Sequence, residues 1–138
     1  MFDVLGDINW LAVLLSTIAY SVLGALWFTL LFRSPYALAL GRAPSQKPDM
    51  SPIFYLGPLL CVLVTSLASA VLMQSLGIEN LGDAVLFGTI VGVGYLVATT
   101  FNVAINPNIP RPLLYGLVSG GYFLAGSWLS SIILVVLA

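Results

Sequence analysis

Charged residues are absent from four long stretches of the chain. The stretches cover residues 8–32, 50–78, 84–110 and 112–138, and they are 25, 29, 27 and 27 residues long. A helix needs about 20 predominantly apolar residues to cross the hydrocarbon core of a bilayer, so each stretch holds one crossing and is too short for two. Only 7% of all residues are charged, which is too few to cover a water-soluble surface. We predict an all-α, polytopic membrane protein with a bundle of four transmembrane helices.

Proline and polar residues mark the ends of the predicted helices. The chain should form a single membrane domain, residues 1–138, with helices over about residues 9–32, 52–76, 84–105 and 113–136. Residues 33–51 form the longest predicted loop, because prolines and charges in that segment are typical of turns. The second predicted helix opens with Pro-Ile-Phe-Tyr from Pro52, and the fourth with Pro-Leu-Leu-Tyr from Pro112. Two parallel copies of one helical hairpin explain this match, and so does a general preference for proline and aromatic residues where membrane helices begin.

The charges are unevenly divided between the two sides of the predicted bundle. All four basic residues fall in the first and third connections: Arg33, Arg42, Lys47 and Arg111. The other side carries only acidic residues, namely Asp3, Asp7, Glu79 and Asp83. Since Lys and Arg in short loops are retained in the cytoplasm, we expect both termini to be non-cytoplasmic.

Glycines recur at four-residue steps in the last two predicted helices, as Gly88 and Gly92 in the third and Gly116 and Gly120 in the fourth. Membrane helices approach each other closely where side chains are small. We therefore expect the third and fourth helices to cross through Gly88 and Gly92 against Gly116 or Gly120. The alternative use of these glycines is a contact between protomers of a homo-oligomer.

Polar side chains form one stripe on each predicted helix, and three tyrosines lie near the middle of their helices. The tyrosines are Tyr20, Tyr95 and Tyr122, and Thr99 and Ser119 share their faces at helical spacing. Hydroxyl groups in hydrocarbon need partners, so these faces should meet inside the bundle. The five residues then either line a small intramembrane cavity or pack together and pair their hydroxyls, and packing is the commoner outcome.

Three polar residues lie at the end of the third predicted helix, on the basic side of the bundle. They are Asn102, Asn106 and Arg111. They offer a candidate site at the cytoplasmic face, although asparagines in such a place ordinarily end the helix and hydrogen-bond the turn.

Few residues are suited to catalysis. The chain has no His and one Cys, and no predicted helix contains Asp or Glu, so we expect no catalytic residues, no metal site and no cofactor. Four scattered basic residues also exclude a nucleic-acid binder. We expect a non-enzymatic binding, scaffold or partner module embedded in the lipid bilayer, acting as a homo-oligomer or with a membrane-protein partner. The alternative is a small oligomeric transporter or channel for an uncharged or weakly polar solute.

Several short motifs invite comparison with a known family. They are Ile8-Asn9-Trp10-Leu11-Ala12-Val13, Gly24-Ala25-Leu26-Trp27, Gly92-Val93-Gly94-Tyr95 and Gly120-Gly121-Tyr122. Through them the chain resembles the bacterial four-helix membrane family catalogued as domain of unknown function 1761. The resemblance implies a multi-pass protein of the bacterial cytoplasmic (inner) membrane, and it implies no reaction.

Overall fold

The structure, a computed structural model, describes residues 2–47 and 49–138. In that part of the chain the regular elements are helices, and no strand occurs. Four of these helices are long and apolar enough to cross a membrane, which confirms the predicted fold class. We call them the first to fourth membrane helices: Trp10–Leu31, Ile53–Leu76, Leu81–Ala104 and Pro112–Val136. Their ends differ from the predicted ones by at most three residues.

Local capping explains where several of the helices begin and end. The Asn9 side chain accepts hydrogen bonds from the first turn of the first helix, and the Asn80 side chain does the same for the third. The second helix ends at Leu76, and Gly77 caps it with a positive φ of 66° that suits glycine. The N–H of Ile78 then donates back to the Met73 carbonyl at 3.0 Å. This carbonyl in the last turn of the helix therefore has a hydrogen-bond partner within the chain.

The connection after the first helix is not the continuous loop that the sequence predicts. It contains a short connecting helix, Arg33–Ala39. Pro35 lies in the first turn of that helix, where a missing N–H is tolerated. Ala39 is fully buried, and its carbonyl accepts a hydrogen bond from the Arg111 N–H at 3.3 Å. Contact with the rest of the bundle therefore stabilises a helix that the local sequence does not predict.

Two membrane helices contain a π-helical turn. In the first helix it covers Trp27–Leu31, and in the third it covers Gly92–Val97. A π turn takes up one extra residue, so the chain beyond it faces about 100° away from where a continuous α-helix would place it. In the third helix, Thr100 and Ala104 consequently face the bundle interior, whereas Thr99 is exposed.

The fourth helix lies at the centre of the bundle and contacts all three other membrane helices. About half of its membrane-spanning stretch is buried (50%), against 28% for each of the other three helices. The first helix also packs against the second. The hairpin of the first and second helices therefore lies at the periphery, whereas the hairpin of the third and fourth contributes the central helix. We call the two ends of the bundle the acidic end, with Asp3, Asp7, Glu79 and Asp83, and the basic end, with Arg33, Arg42, Lys47 and Arg111.

Candidate functional site

Tyr20 and Tyr122 meet between the first and fourth helices, with their ring centroids 5.3 Å apart. Both are buried, and the Tyr20 hydroxyl donates to the Phe123 carbonyl at 3.2 Å. The Tyr20 ring lies on Gly126, where an added Cβ would overlap the ring. Tyr122 lies over Gly24 in the same way, since a Cβ there would stand 2.9 Å from the Tyr122 hydroxyl. The two rings therefore fill the space that their neighbouring glycines leave open.

The prediction that Tyr95 joins this pair is wrong. Its side chain is 69% exposed on the outside of the bundle, and Thr99 is exposed as well. The π turn at Gly92–Val97 explains the difference, because it rotates the following residues away from the face that carries Gly88 and Gly92. Ser119 is buried in the fourth helix, so three of the five candidate cavity residues lie inside.

A network of serine hydroxyls joins three helices inside the bundle. The Ser16 hydroxyl lies 2.7 Å from that of Ser130 and donates to that of Ser66 at 3.2 Å. All three side chains are at most 2% exposed. Such bonds stabilise helix contacts in hydrocarbon, where an unpaired hydroxyl has no water to turn to. This network is not among the features predicted from the sequence, although the fourth helix carries a signal for it in serines three and four residues apart: Ser127, Ser130 and Ser131.

The four predicted packing glycines all lie where the third and fourth helices meet. A Cβ at Gly88 would stand 2.6 Å from the Ser131 hydroxyl, and one at Gly92 would stand 2.8 Å from Leu124. Gly116 lies against the Phe101 ring, and a Cβ at Gly120 would stand 3.3 Å from Val97.

The predicted pairing of glycine with glycine is therefore wrong. The third and fourth helices are antiparallel and joined by a short turn, so residues equally far from the turn face each other. Gly88 and Gly92 lie far from that turn and meet the outer part of the fourth helix, whereas Gly116 lies close to it. Each glycine consequently accommodates a larger side chain of the other helix.

The polar residues of the basic end do not gather into one site. Asn106 accepts from the Asn108 N–H at 2.7 Å and donates to the Val103 carbonyl, which ends the third helix. Arg111 is exposed beside the start of the fourth helix, and Asn102 is exposed on the side of the third. Nearby, Tyr36 packs on Phe28 with ring centroids 4.7 Å apart. Burial raises the pKa of the Tyr36 phenol above its usual value, Tyr115 adds to this rise, and Arg42 opposes it.

A polar face of the third helix points away from the bundle, and we call it the lipid-facing stripe. It consists of Tyr95, Thr99 and Asn102, flanked by the small residues Gly94 and Ala98, and all five are exposed. None of the three polar side chains forms a hydrogen bond in the described part of the chain. Nothing lies within 4 Å of a Cβ added to Gly94. Polar groups on the outside of a membrane helix need partners from another molecule, and the stripe has none within its own bundle.

A cavity of about 360 Å³ opens at the acidic end. Its buried floor is apolar and includes Ala12, Met73 and Leu134. Its exposed rim carries the carboxylates of Asp7 and Glu79. No pattern in the sequence predicts this cavity, because four separate segments build it. In the described chain, no three His, Cys, Asp or Glu side chains are grouped so that they could hold a metal ion.

Together, the four apolar helices, the buried hydroxyl network and the close glycine contacts define a helical membrane protein of the four-helix bundle class. The chain belongs to the family described as "Protein of unknown function (DUF1761)", whose sequence model matches residues 11–135. The resemblance inferred from the sequence motifs is thereby confirmed. No curated protein and no solved structure matches the chain.

Proposed function

We propose that the protein is a non-enzymatic partner module that acts as a homodimer, with the lipid-facing stripe of one copy covering that of the other. One observation carries this proposal. Three polar side chains at helical spacing, Tyr95, Thr99 and Asn102, are exposed without a hydrogen bond on the outside of a membrane helix. Interhelical hydrogen bonds in membranes contribute about 0.6–2 kcal/mol each, so pairing these groups favours association.

A second copy suits this stripe because the stripe is complementary to itself. An amide and a hydroxyl each donate and accept, so Asn102 and Thr99 can bond to the same residues of a copy related by a twofold axis. Gly94 and Ala98 are four residues apart on this face, which is the spacing that lets two helices approach closely. The contact leaves the fourth helix, already enclosed by its own bundle, unchanged.

The finer points of location rest on the charges. The four basic residues lie at one end of the bundle, and this favours a cytoplasmic basic end with both termini on the opposite side of a bacterial inner membrane. The absence of His and of acidic residues from the sequence of the membrane helices, apart from Asp83 near the start of the third, supports a non-enzymatic role. The packed Tyr20–Tyr122 pair lends no support to a solute pathway through a single protomer.

Counting the copies in each complex tests the proposal. The protein, labelled at one site, is reconstituted at low density in liposomes, and single-molecule photobleaching counts the copies. We expect two steps for the parent and mostly one step for the double variant Gly94→Leu/Asn102→Leu. Thr65→Val is the matched control, because Thr65 lies on the second helix and its hydroxyl bonds within that helix at 2.9 Å. A parent that bleaches in one step, or a double variant that remains dimeric, would contradict the proposal.

A further inference from the structure

A shallow groove runs along the outside of the bundle between the third and fourth helices, and we call it the lateral groove. Its volume is about 230 Å³, and the surface that it exposes is mostly apolar. It is lined by Thr99, Thr100, Val103, Tyr115 and Phe123. Val103 is 56% exposed, and Tyr115 and Phe123 are half-buried, so apolar atoms of these side chains are open to a ligand.

The lateral groove lies in one half of the membrane, the half nearest the basic end. Tyr115 is in the first turn of the fourth helix, and Phe123 is near the middle of that helix. The two are eight residues apart, so the groove extends about 12 Å along the helix axis. The hydrocarbon of one leaflet is about 15 Å thick. The groove therefore has the position and the length that suit a single acyl chain of that leaflet.

Two arginines adjoin the end of the groove that meets the membrane surface. Arg111 lies one helical turn before Tyr115, whose N–H donates to the Arg111 carbonyl at 3.0 Å. Arg42 lies near the Tyr36 phenol, because its charge opposes the rise in the pKa of that group. The Tyr36 ring in turn packs on Tyr115 with ring centroids 5.9 Å apart. Both arginines are thus connected to the groove through Tyr115.

Contacts between two segments bring these arginines to the same place. The Ala39 carbonyl accepts from the Arg111 N–H at 3.3 Å, and a Cβ at Gly41 would stand 3.0 Å from Pro110. Both arginine side chains are exposed, and neither forms an ion pair in the part of the chain that the structure describes. The sequence has four basic residues at this end and one acidic residue, Asp49. The surface beside the groove therefore favours an anionic group.

From this combination we infer that the lateral groove holds one acyl chain of an anionic phospholipid, whose phosphate is bound by Arg42 and Arg111. Guanidinium groups bind phosphate oxygens through paired N–H donors, and basic residues at a membrane surface attract anionic lipids. A zwitterionic lipid with the same chains gains the groove contacts but brings a positive charge toward the arginines. The inference goes beyond the proposed dimer, since of the residues that line the groove Thr99 alone also belongs to the lipid-facing stripe.

Native mass spectrometry of the full chain in detergent micelles tests the inference. The probe is dioleoylphosphatidylglycerol, and the comparison is dioleoylphosphatidylcholine, which has the same chains. We expect one bound phosphatidylglycerol per copy, with a dissociation constant at least about five-fold below that of phosphatidylcholine, which is the effect of one basic residue on an anionic lipid. The double variant Arg42→Gln/Arg111→Gln should remove this preference.

The double variant Arg33→Gln/Lys47→Gln is the matched control. It removes the same charge from exposed residues at the same end, and neither residue is among the groups that act on Tyr36, so the parent's preference should remain. Val103→Trp tests the groove itself. The exposed position tolerates the larger ring, which should fill the groove and weaken the binding of both lipids.

Four results would overturn the inference: no bound phosphatidylglycerol, equal binding of the two lipids, an equal loss of preference in the two double variants, or unchanged lipid binding by Val103→Trp. Loss of the dimer in Val103→Trp with lipid binding unchanged would assign the groove to the second copy. The Gly94→Leu/Asn102→Leu variant should still bind one phosphatidylglycerol per copy. Photobleaching of Arg42→Gln/Arg111→Gln should still give two steps, so a failure of the lipid site is distinct from a failure of the proposed dimer.

Discussion

The two halves of the third membrane helix differ in how well a regular helical period describes them. In the first half, Leu81–Val91, the residues Ala84 and Gly88 face the bundle, as their four-residue spacing predicts. In the last turns, Ala98–Ala104, the same period points to Thr99, yet Thr100 and Ala104 are the buried residues. The π turn between the halves takes up one residue and turns the polar side outward. A single extra residue thus converts an interior stripe into an external one.

The largest effect should come from deleting single residues on either side of this comparison. Deleting Gly94 removes the extra residue of the π turn and lets both halves keep their faces, so we expect a loss of about 1 kcal/mol or less. Deleting Leu86 instead turns Gly88 and Gly92 out of their contact, and should cost about 3 kcal/mol or more. Unfolding in detergent, followed by circular dichroism, measures both. Equal losses for the two deletions would show that the π turn does not hold a spare residue.

Replacing glycines should separate packing within the bundle from contact with a second copy. Gly92→Leu overpacks the contact with Leu124 and should cost about 1–3 kcal/mol of unfolding free energy. Gly94→Leu has open space around it and should change stability by about 0.5 kcal/mol or less. Leu86→Ala should also cost less than Gly92→Leu, because the Leu86 side chain is 57% exposed. The same denaturation assay in detergent decides, and a Gly92→Leu variant as stable as the parent would contradict this packing.

The smallest effect concerns two adjacent threonines. Thr100→Val removes a buried hydroxyl that bonds to the Leu96 carbonyl at 2.7 Å, and should cost about 0.5–1.5 kcal/mol of stability without changing the number of copies. Thr99→Val should leave unfolding unchanged and weaken dimerisation, by about three-fold for one lost interhelical bond. Energy transfer between labelled copies in liposomes measures the second effect. If the two variants exchange these phenotypes, the faces have been assigned in reverse.

The sequence predicts the membrane helices well because their limits are set by local chemistry. Charges, prolines and capping asparagines lie next to the ends that they determine, as Asn80 does before the third helix. The connecting helix Arg33–Ala39 escapes prediction because it depends on burial of Ala39 against the bundle. Local signals therefore locate the crossings, while tertiary contact decides what happens between them.

The candidate site is predictable only in part. Tyr20 precedes the π turn of the first helix, and Tyr122 lies in the fourth helix, which is a regular α-helix. The α-helical period therefore predicts correctly that the two rings meet. The prediction for Tyr95 is wrong because the direction of its side chain depends on a π turn, which the residue pattern alone does not predict. The cavity at the acidic end and the glycine partners depend on how separate helices are set against each other, and no period within one helix contains that information.

Cysteine crosslinking along the third helix tests most directly whether its polar side faces outward onto a second copy. With Cys61→Ser as the background, Thr99→Cys and Thr100→Cys are each oxidised in native membranes, and the disulfide-linked dimer is measured on a gel. The account predicts a dimer for Thr99→Cys, which is exposed, and none for Thr100→Cys, which is 8% exposed. Crosslinking of Thr100→Cys without Thr99→Cys, or of neither variant, would contradict it.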